Sequence, residues 1–237
     1  MLAVESAVAK TGKYAVPESG DSAEVVERPR GGMSLIVVDG QRSGRAAKAV
    51  SHLVIRKAAS LILEGVRDGA AARASSDSLL VSRRGQVSAD LTVLSADMDT
   101  RSIVITRNTP CPVLVVRGGE RQIIDEPSCP LGTGRSVRPQ VTELPLEEGL
   151  LIVTFTDGVW EAGLLSTRPQ GVPDWILAEV AVPATGPLPL ADAILAAAVA
   201  RDQGRPRDDM TVAVMAIRQN GEGPNVRRLH VVFPVPY

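Results

Sequence analysis

Short apolar runs separated by turn-forming residues dominate the hydrophobic pattern of this chain. Runs without polar alternation are typical of strands buried on both faces. The clearest are MSLIVV, LLIVTFT and MTVAVMAI, which begin at residues 33, 150 and 210. Further predicted strands lie at 90–96, 102–106, 113–117, 121–124 and 137–144, with hairpin turns at 97–101 and 118–119.

Helical spacing occurs in two blocks, one early and one late in the chain. Between Gly44 and Val66, apolar residues recur every three or four positions, which predicts an amphipathic helix. Weaker patterns predict helices at 70–82 and 191–201, with a short one around Trp175. Because strands mostly follow strands through short turns, we predict an α+β fold with antiparallel sheet.

The composition fits one globular domain with an aliphatic core. The 237-residue chain is 44% hydrophobic but only 3% aromatic, so Val, Leu, Ile and Ala must fill the interior. A formal net charge of -1 argues against nucleic-acid binding, and no apolar run is long enough to cross a membrane. With two cysteines and no signal-peptide pattern, we expect a cytoplasmic protein without nucleic-acid or membrane partners.

Aspartates stand at the ends of the clearest predicted strands. Asp39 and Asp157 each follow an apolar run, Asp208 and Asp209 precede another, and Asp21 follows Ser-Gly near the N-terminus. Carboxylates at strand ends are held by a rigid scaffold, and without His or Cys partners they favour hard cations such as Mg²⁺ or Mn²⁺. Asp-Gly is also a common turn dipeptide, so position alone leaves both a metal site and ordinary turns open.

Other aspartates are better explained by local structure. We interpret the Asp-Gly pair at 68–69 as the end of the first helix, and Asp97 and Asp99 as solvated residues of a hairpin turn. The glycines that follow Asp39 and Asp157 have a different interpretation, because at a metal site they would let the backbone approach an ion closely.

Six short segments of the chain stand in a characteristic order and spacing. They are Ser-Gly-Asp at 19–21, VVDGQRSG at 37–44, ADLTVLSAD at 89–97, RNTPCPVLVV at 107–116, TFTDGVWEA at 154–162 and RDDMTVAVM at 207–215. Together they resemble the PPM (type 2C) metal-dependent protein phosphatases, in the bacterial sporulation and stress-response branch with its SpoIIE-like and RsbX-like members. The resemblance implies a phosphatase domain over residues 1–218. The alternating apolar pattern of residues 227–235 makes the C-terminal extension at 219–237 a candidate for an extra strand.

The resemblance also implies a fold and a metal centre. The fold would be two antiparallel β-sheets packed face to face and flanked by helices, an αββα sandwich. Asp21 would bind the first of two divalent cations, Mn²⁺ or Mg²⁺. Asp39 would bridge both cations, assisted by the Gly40 carbonyl, while Asp157 and Asp208 would hold the second. The aspartate that follows Asp208 fits the family position less well.

On this resemblance the chain is a serine/threonine protein phosphatase in which a metal-bound hydroxide attacks phosphorus. Asp39 and Asp21 would be its catalytic residues. The expected substrate is phosphoserine or phosphothreonine on a regulatory protein of a stress or sigma-factor cascade. The resemblance names neither that protein nor the oligomeric state.

The chain departs from the family pattern at several positions. Gln-Arg-Ser-Gly at 41–44 stands where many members have Gly-His-Gly after the bridging aspartate. Eukaryotic relatives bind the substrate phosphate with an arginine just before the first aspartate, where this chain has only Lys13 nearby. Arg42 and Arg45 are candidates for that role, or are simply solvated. His52 lies in the first predicted helix and is interpreted as structural, so the general acid is unassigned.

Two other interpretations stay open. Cys129 and Arg135 match the Cys-x5-Arg pattern of cysteine-dependent phosphatases, in which a thiolate attacks the phosphate. That pattern needs a helix beginning at the arginine, and Pro139 opposes one. Cys111 and Arg117 have the same spacing, but the residues between them have the pattern of a strand. The remaining interpretation is a phosphatase fold that has lost its activity and serves as a binding module.

Overall fold

Ten strands and five helices make up the described part of the chain, which comprises residues 1–134, 136–164, 168–182, 185–220 and 226–234 of a computed structural model. The strands are β1 (Leu2–Thr11), β2 (Ser22–Glu27), β3 (Gly32–Gly40), β4 (Ala89–Asp97), β5 (Ser102–Asn108), β6 (Val113–Arg117), β7 (Glu120–Ile124), β8 (Gln140–Pro145), β9 (Leu151–Phe155) and β10 (Met210–Gln219). The helices are α1 (Gly44–Leu63), α2 (Asp68–Arg83), α3 (Asp157–Trp160), α4 (Asp174–Ala181) and α5 (Pro187–Arg201). Among these described helices, none is both long and apolar enough to cross a bilayer.

The strands form two five-stranded sheets in which all neighbours are antiparallel. The first sheet has the order β1-β10-β9-β6-β7 and the second the order β2-β3-β4-β5-β8. Helices cover the outer face of each sheet, and the two inner faces pack against each other. The prediction of an α+β fold built as an αββα sandwich is therefore confirmed.

Three apolar layers hold this sandwich together. Successive residues of a strand face opposite sides of a sheet. Leu35 and Val37 of β3 therefore lie between the sheets, while Ile36 and Val38 pack under α1 and α2. The third layer lies between the first sheet and helices α4 and α5. Because the central strands are buried on both faces, their sequences are apolar throughout and show no alternation.

Most predicted elements are present, with shifted ends, and two strands escape prediction. The short helix around Trp175 is confirmed as α4, and α5 begins at Pro187, since proline is tolerated in the first helical turn. The strand predicted at 137–144 forms as β8. β1 and β2 are absent from the prediction because polar residues interrupt their apolar patterns, and both are edge strands of their sheets.

The interpretation of Asp68-Gly69 as the end of the first helix is wrong. Asp68 begins α2, and its buried carboxylate accepts a 2.6 Å hydrogen bond from Arg28 Nη1. The same guanidinium donates to the hydroxyls of Ser34 and Ser95, at 3.0 and 3.2 Å. This buried network ties the end of β2 to the second sheet and to α2, and the helix dipole favours a carboxylate at that terminus.

The neighbouring turns carry a second, exposed ion pair. Residues 97–101 form the predicted β4–β5 turn, in which Asp97 Oδ1 accepts the Asp99 N–H at 2.9 Å. Asp99 pairs with Arg30 of the β2–β3 turn at 3.0 Å, and both side chains are more than half exposed. Because water screens exposed charges, this pair should stabilise the fold far less than the buried one.

Residues 226–234 of the C-terminal extension are exposed. β10 ends at Gln219, and residues 226–234 form no strand. Their large apolar side chains face solvent, with Phe233 82% exposed. The extra strand is therefore not formed within residues 226–234, and a domain boundary after residue 218 stays a prediction.

We expect Arg28→Met to lower the free energy of unfolding by about 3–5 kcal/mol, because it leaves the Asp68 carboxylate buried and unpaired. Arg30→Met, which removes the exposed partner of Asp99, should cost less than about 1 kcal/mol. Urea denaturation of the two variants measures the difference. If both variants lost the same free energy of unfolding, the buried Arg28–Asp68 pair would not be what stabilises the β2–β3 hairpin.

Candidate active site

Aspartates from four segments meet at one end of the sandwich. Asp21 directly precedes β2 and Asp39 lies next to the end of β3, both in the second sheet. Asp157 opens α3 after β9, and Asp208 lies just before β10, both at the end of the first sheet. The carboxyls of Asp39 and Asp157 lie close enough to shift each other's pKa. The face-to-face packing of the two sheets therefore assembles the cluster that the sequence predicted.

Asp21 is fully buried and held by side chains of the first sheet and of α1. Its Oδ2 accepts hydrogen bonds from the hydroxyls of Thr156 and Thr211, at 3.0 and 2.5 Å. Its backbone carbonyl accepts from Lys10 Nζ and Lys48 Nζ, at 2.9 and 2.6 Å. Its Oδ1 is buried and has no hydrogen-bond partner among the described residues. One carboxylate oxygen is thus fixed, and the other is left for a ligand.

Burial and mutual repulsion oppose full ionisation of the cluster. Burial raises the pKa of Asp21 to about 7, although two threonine hydroxyls oppose the shift. Burial, and then the charges of Asp21, Asp157 and Asp90, raise the pKa of Asp39 well above its ordinary value. Burial also raises the pKa of Asp157, with the charge of Asp208 adding to it. A counterion is therefore needed before these carboxyls can all be charged.

Asp90 belongs to the same cluster and is absent from the sequence-based prediction. It is the antiparallel partner of Asp39 in the β3–β4 ladder, and its Oδ2 accepts a 2.8 Å hydrogen bond from Thr109 Oγ1. Burial raises the pKa of Asp90 to about 7. The residue lies inside a segment that carries the family resemblance, but α1 and α2 separate the two strands. Their register, which brings Asp90 to Asp39, has no signal in the sequence.

The adjacent aspartates before β10 have different surroundings. Asp209 is buried, and its two carboxylate oxygens accept the backbone N–H groups of Lys13 and Gly20, at 2.9 and 2.8 Å. Asp208 instead lines a cavity of about 220 Å³ together with Asp157. Because Asp209 is occupied in fixing the β1–β2 loop, the geometry favours Asp208 as the ligand of the pair.

Both Asp-Gly pairs of the site place glycine where two backbone segments meet. A Cβ at Gly40 would lie 2.1 Å from the carbonyl oxygen of Ala47 on α1. A Cβ at Gly158 would lie 2.2 Å from the carbonyl oxygen of Asp209. Any side chain would push these segments apart, so the glycines fix the position of the carboxylate before each of them. A role of the Gly40 carbonyl in binding an ion stays a prediction.

The donor set can be tested for its fit to divalent cations. As they stand, the described residues include no group of three or more His, Cys, Asp or Glu side chains placed to hold a metal ion. However, Asp21 Oδ1 is buried and unsatisfied, and the raised pKa of Asp39 favours a proton on that carboxyl. A hard cation would satisfy the oxygen and replace the proton. The residues therefore fit Mg²⁺ or Mn²⁺, and the ligand set of Asp21, Asp39, Gly40, Asp157 and Asp208 stays a prediction.

The cysteines lack the surroundings of a nucleophile. Cys129 is exposed, and residues 136–139 are not helical, so the helix that a Cys-x5-Arg site requires is missing there. Its candidate partner Arg135 lies outside the described residues. Cys111 is buried, and burial raises the pKa of its thiol well above the ordinary value, whereas a nucleophile needs a lowered one. Arg117 is the last residue of β6, which confirms the strand between this pair.

The side chains considered for phosphate binding and proton transfer are exposed. Arg42 is exposed, and the Arg45 side chain is 96% exposed with Glu18 as its ion-pair partner at 3.9 Å. His52 lines a groove on the outer face of α1 with Arg56, so it belongs neither to the core nor to the cluster. His52 lies in α1, as predicted, and it is exposed there away from the cluster.

The fold is that of solved PP2C-type phosphatase domains. The phosphatase domain with a regulatory fragment of SpoIIE, a cell fate determinant from Bacillus subtilis, has a TM-score of 0.78 at 21% identity, covering 93% of this chain and 65% of that one. The catalytic domain of the serine/threonine phosphatase PstP, solved with 2 manganese ions, has a TM-score of 0.70 at 18% identity. The match covers 92% of this chain and 100% of that one. A third neighbour, from a study of the bacterial stressosome, has a TM-score of 0.67 at 18% identity. The match covers 90% of this chain and 99% of that one.

The family model for Stage II sporulation protein E (SpoIIE) matches residues 29–218, so this chain belongs to the SpoIIE family. The resemblance inferred from the six segments is thereby confirmed, although the matched range begins after Asp21. Stage II sporulation protein E of Bacillus subtilis (strain 168) is 21% identical over 206 residues, which cover 85% of this chain. The chain spans 24% of the length of that relative.

The raised pKa values predict that the metal-free protein loses stability as pH rises. The folded-state pKa values of Asp21 and Asp90 are about 7, against an ordinary value of 3.8. Between these values the folded chain binds more protons than the unfolded chain, so the free energy of unfolding falls with increasing pH. In EDTA, we expect a lower melting temperature at about pH 8 than at about pH 5.5.

Asp90→Asn provides the matched variant for this measurement. Its amide oxygen can still accept the hydrogen bond from Thr109, while the charge is removed. The variant should melt higher than the parent at high pH and show a weaker pH dependence. Mn²⁺ should restore the melting temperature of the parent at high pH. A parent that melts at the same temperature across this range in EDTA would contradict the predicted protonation of the cluster.

Proposed function

We propose that this chain is a metal-dependent serine/threonine protein phosphatase that acts on a phosphorylated regulatory protein. The observation that carries the proposal is the convergence of Asp21, Asp39, Asp157 and Asp208 from two sheets around a buried carboxylate oxygen without a partner. Membership of the SpoIIE family and the manganese-bound PstP neighbour support the same chemistry.

The side chains of this chain would prepare the site for two divalent cations, Mn²⁺ or Mg²⁺. Bound there, such cations would lower the pKa of a water ligand and neutralise charge on a phosphoryl group. Thr156 and Thr211 hold one oxygen of Asp21, so that its other oxygen is free for a ligand. Burial raises the pKa values of Asp39 and Asp157, so protons held there must leave before both can act as ligands, and loading should release protons.

The proposed substrate is phosphoserine or phosphothreonine on a protein of a bacterial stress or cell-fate pathway. Two similarities support this choice: one neighbour is the cell fate determinant SpoIIE, and another was solved in a study of the bacterial stressosome. The phosphate monoester would enter beside Asp157 and Asp208, which line the cavity at the cluster.

Hydrolysis assays test this proposal directly. A phosphoserine peptide and p-nitrophenyl phosphate are incubated with the protein in Mn²⁺, in EDTA and after thiol alkylation. We expect turnover that requires Mn²⁺ and survives alkylation, and a matched phosphotyrosine peptide should be a poorer substrate. Folded protein that hydrolyses neither substrate with Mn²⁺ or Mg²⁺ would indicate a binding module instead. Loss of turnover on alkylation would support the cysteine mechanism through Cys129.

We expect Asp39→Asn to reduce turnover by about a hundredfold or more, because Asp39 lies between the two groups of proposed ligands and loses its charge. Asp157→Asn and Asp208→Asn should also reduce turnover severely. Steady-state kinetics in Mn²⁺ measure these effects, and thermal melting verifies that each variant is folded.

Two control variants test whether the loss of turnover is specific to the carboxylates of the cluster. Asp99→Asn removes a carboxylate from the exposed β4–β5 turn, where the side chain is 58% exposed, and should leave turnover unchanged. Cys129→Ser should also retain nearly full activity, since the proposed reaction uses no thiol. If Cys129→Ser abolished turnover while Asp39→Asn retained it, the metal mechanism would be wrong.

A further inference from the structure

Arg168 places a guanidinium at the edge of the carboxylate cluster. Its Nη2 lies 3.9 Å from Asp157 Oδ2, and its Nε donates a 2.6 Å hydrogen bond to Glu161 Oε1. Glu161 directly follows α3, the helix that begins with Asp157. The same short segment therefore fixes both a proposed metal ligand and the partner that orients the arginine.

The terminal donors of Arg168 are free to bind a ligand. Among the described residues, its Nε is the one atom of the guanidinium that makes a hydrogen bond. The 3.9 Å separation from Asp157 is too long for a hydrogen bond, and the side chain is 57% exposed. A guanidinium with both terminal nitrogens free can bind two oxygens of a phosphate at once.

Three other cationic side chains near the cluster already hold groups of the protein, while the charge of Lys13 acts on Asp208. Arg207 donates from Nε and Nη2 to Asp202 Oδ1, at 3.1 and 2.8 Å. Lys10 and Lys48 both donate to the backbone carbonyl of Asp21, at 2.9 and 2.6 Å. These three cations hold the protein's own groups, whereas Arg168 combines a fixed position with free donors.

The charge of Arg168 reaches the centre of the cluster. Burial raises the pKa values of Asp157 and Asp90, and the charge of Arg168 opposes the shift in both. A phosphate dianion that approached Asp157 would meet negative charge on the side of Asp208 and Asp39, and positive charge on the side of Arg168. The arginine therefore lies where an anion needs a counter-charge.

We propose that Arg168 binds the phosphoryl group of the substrate through its two terminal nitrogens, and that Glu161 positions it. The inference rests on the proposed function, because it places a phosphate monoester beside Asp157. It fills the role for which the sequence offered only Arg42 and Arg45. The ligand class is a phosphate dianion, either as the ester or as the free product.

The test compares Arg168→Ala and Arg168→Lys with Arg30→Ala. Arg30 is a matched control, since it is also an exposed arginine in an ion pair, but it lies at the opposite end of the β2–β3 hairpin from Asp21 and Asp39. Isothermal titration calorimetry measures the affinity of the Mn²⁺-loaded proteins for inorganic phosphate. Kinetics with a phosphoserine peptide give KM and kcat separately.

We expect Arg168→Ala to weaken phosphate binding by about tenfold or more and to raise KM by a similar factor, because it removes charge-assisted hydrogen bonds. The phosphate affinity of Arg168→Lys should lie between those of the parent and Arg168→Ala, since lysine keeps the positive charge but lacks the two terminal nitrogens of the guanidinium. Arg30→Ala should bind phosphate as the parent does.

Unchanged phosphate affinity in folded Arg168→Ala would overturn the proposal. So would a change confined to Mn²⁺ affinity and melting temperature, because that result would show a purely structural role beside Asp157. The proposed function can fail separately. The parent could bind phosphate, with binding lost in Arg168→Ala, while no phosphoserine peptide is hydrolysed. That result would support the phosphate site at Arg168 and contradict the phosphatase assignment.

Discussion

The concentration of carboxylates at one end of the sandwich is the constraint on which the rest of this site depends. Asp21, Asp39, Asp90 and Asp157 all have raised pKa values, and burial is the largest cause in each case. A fold can hold such a cluster only if other interactions offset its repulsion. The three apolar layers supply that stability, and hydroxyl and N–H donors hold individual oxygens in place.

Asp21 also shows how the two sheets fix the site together. Its backbone leads into β2 of the second sheet, yet its carboxylate is held by Thr156 and Thr211, at the ends of β9 and β10 in the first. The same region of the first sheet holds the Gly20 N–H through Asp209. The position of the carboxylate is therefore set by how the sheets pack. A change in the layer between the sheets would be transmitted to the site.

The features that could be predicted from the sequence are those with a local signal. Strands buried on both faces are apolar runs, and Asp39 and Asp157 follow such runs. The edge strands β1 and β2 have mixed patterns and could not be recognised. Asp90 depends on the register of two strands separated by two helices, and Arg168 on the fold of a loop after α3. Both are long-range consequences of packing, for which no pattern of neighbouring residues exists.

At the proposed metal site, protons would compete with cations for the carboxyls, which would give stability and cation affinity opposite dependences on pH. In the cation-free chain, protons are the available counterions, and burial together with the neighbouring carboxylates raises the pKa of Asp39, which favours a proton there. Raising the pH removes these protons and exposes the repulsion, so the cation-free fold weakens. The same change frees the carboxylates as ligands, so cation affinity rises. The protein would therefore be most receptive to its cations under the conditions in which it most needs them for stability.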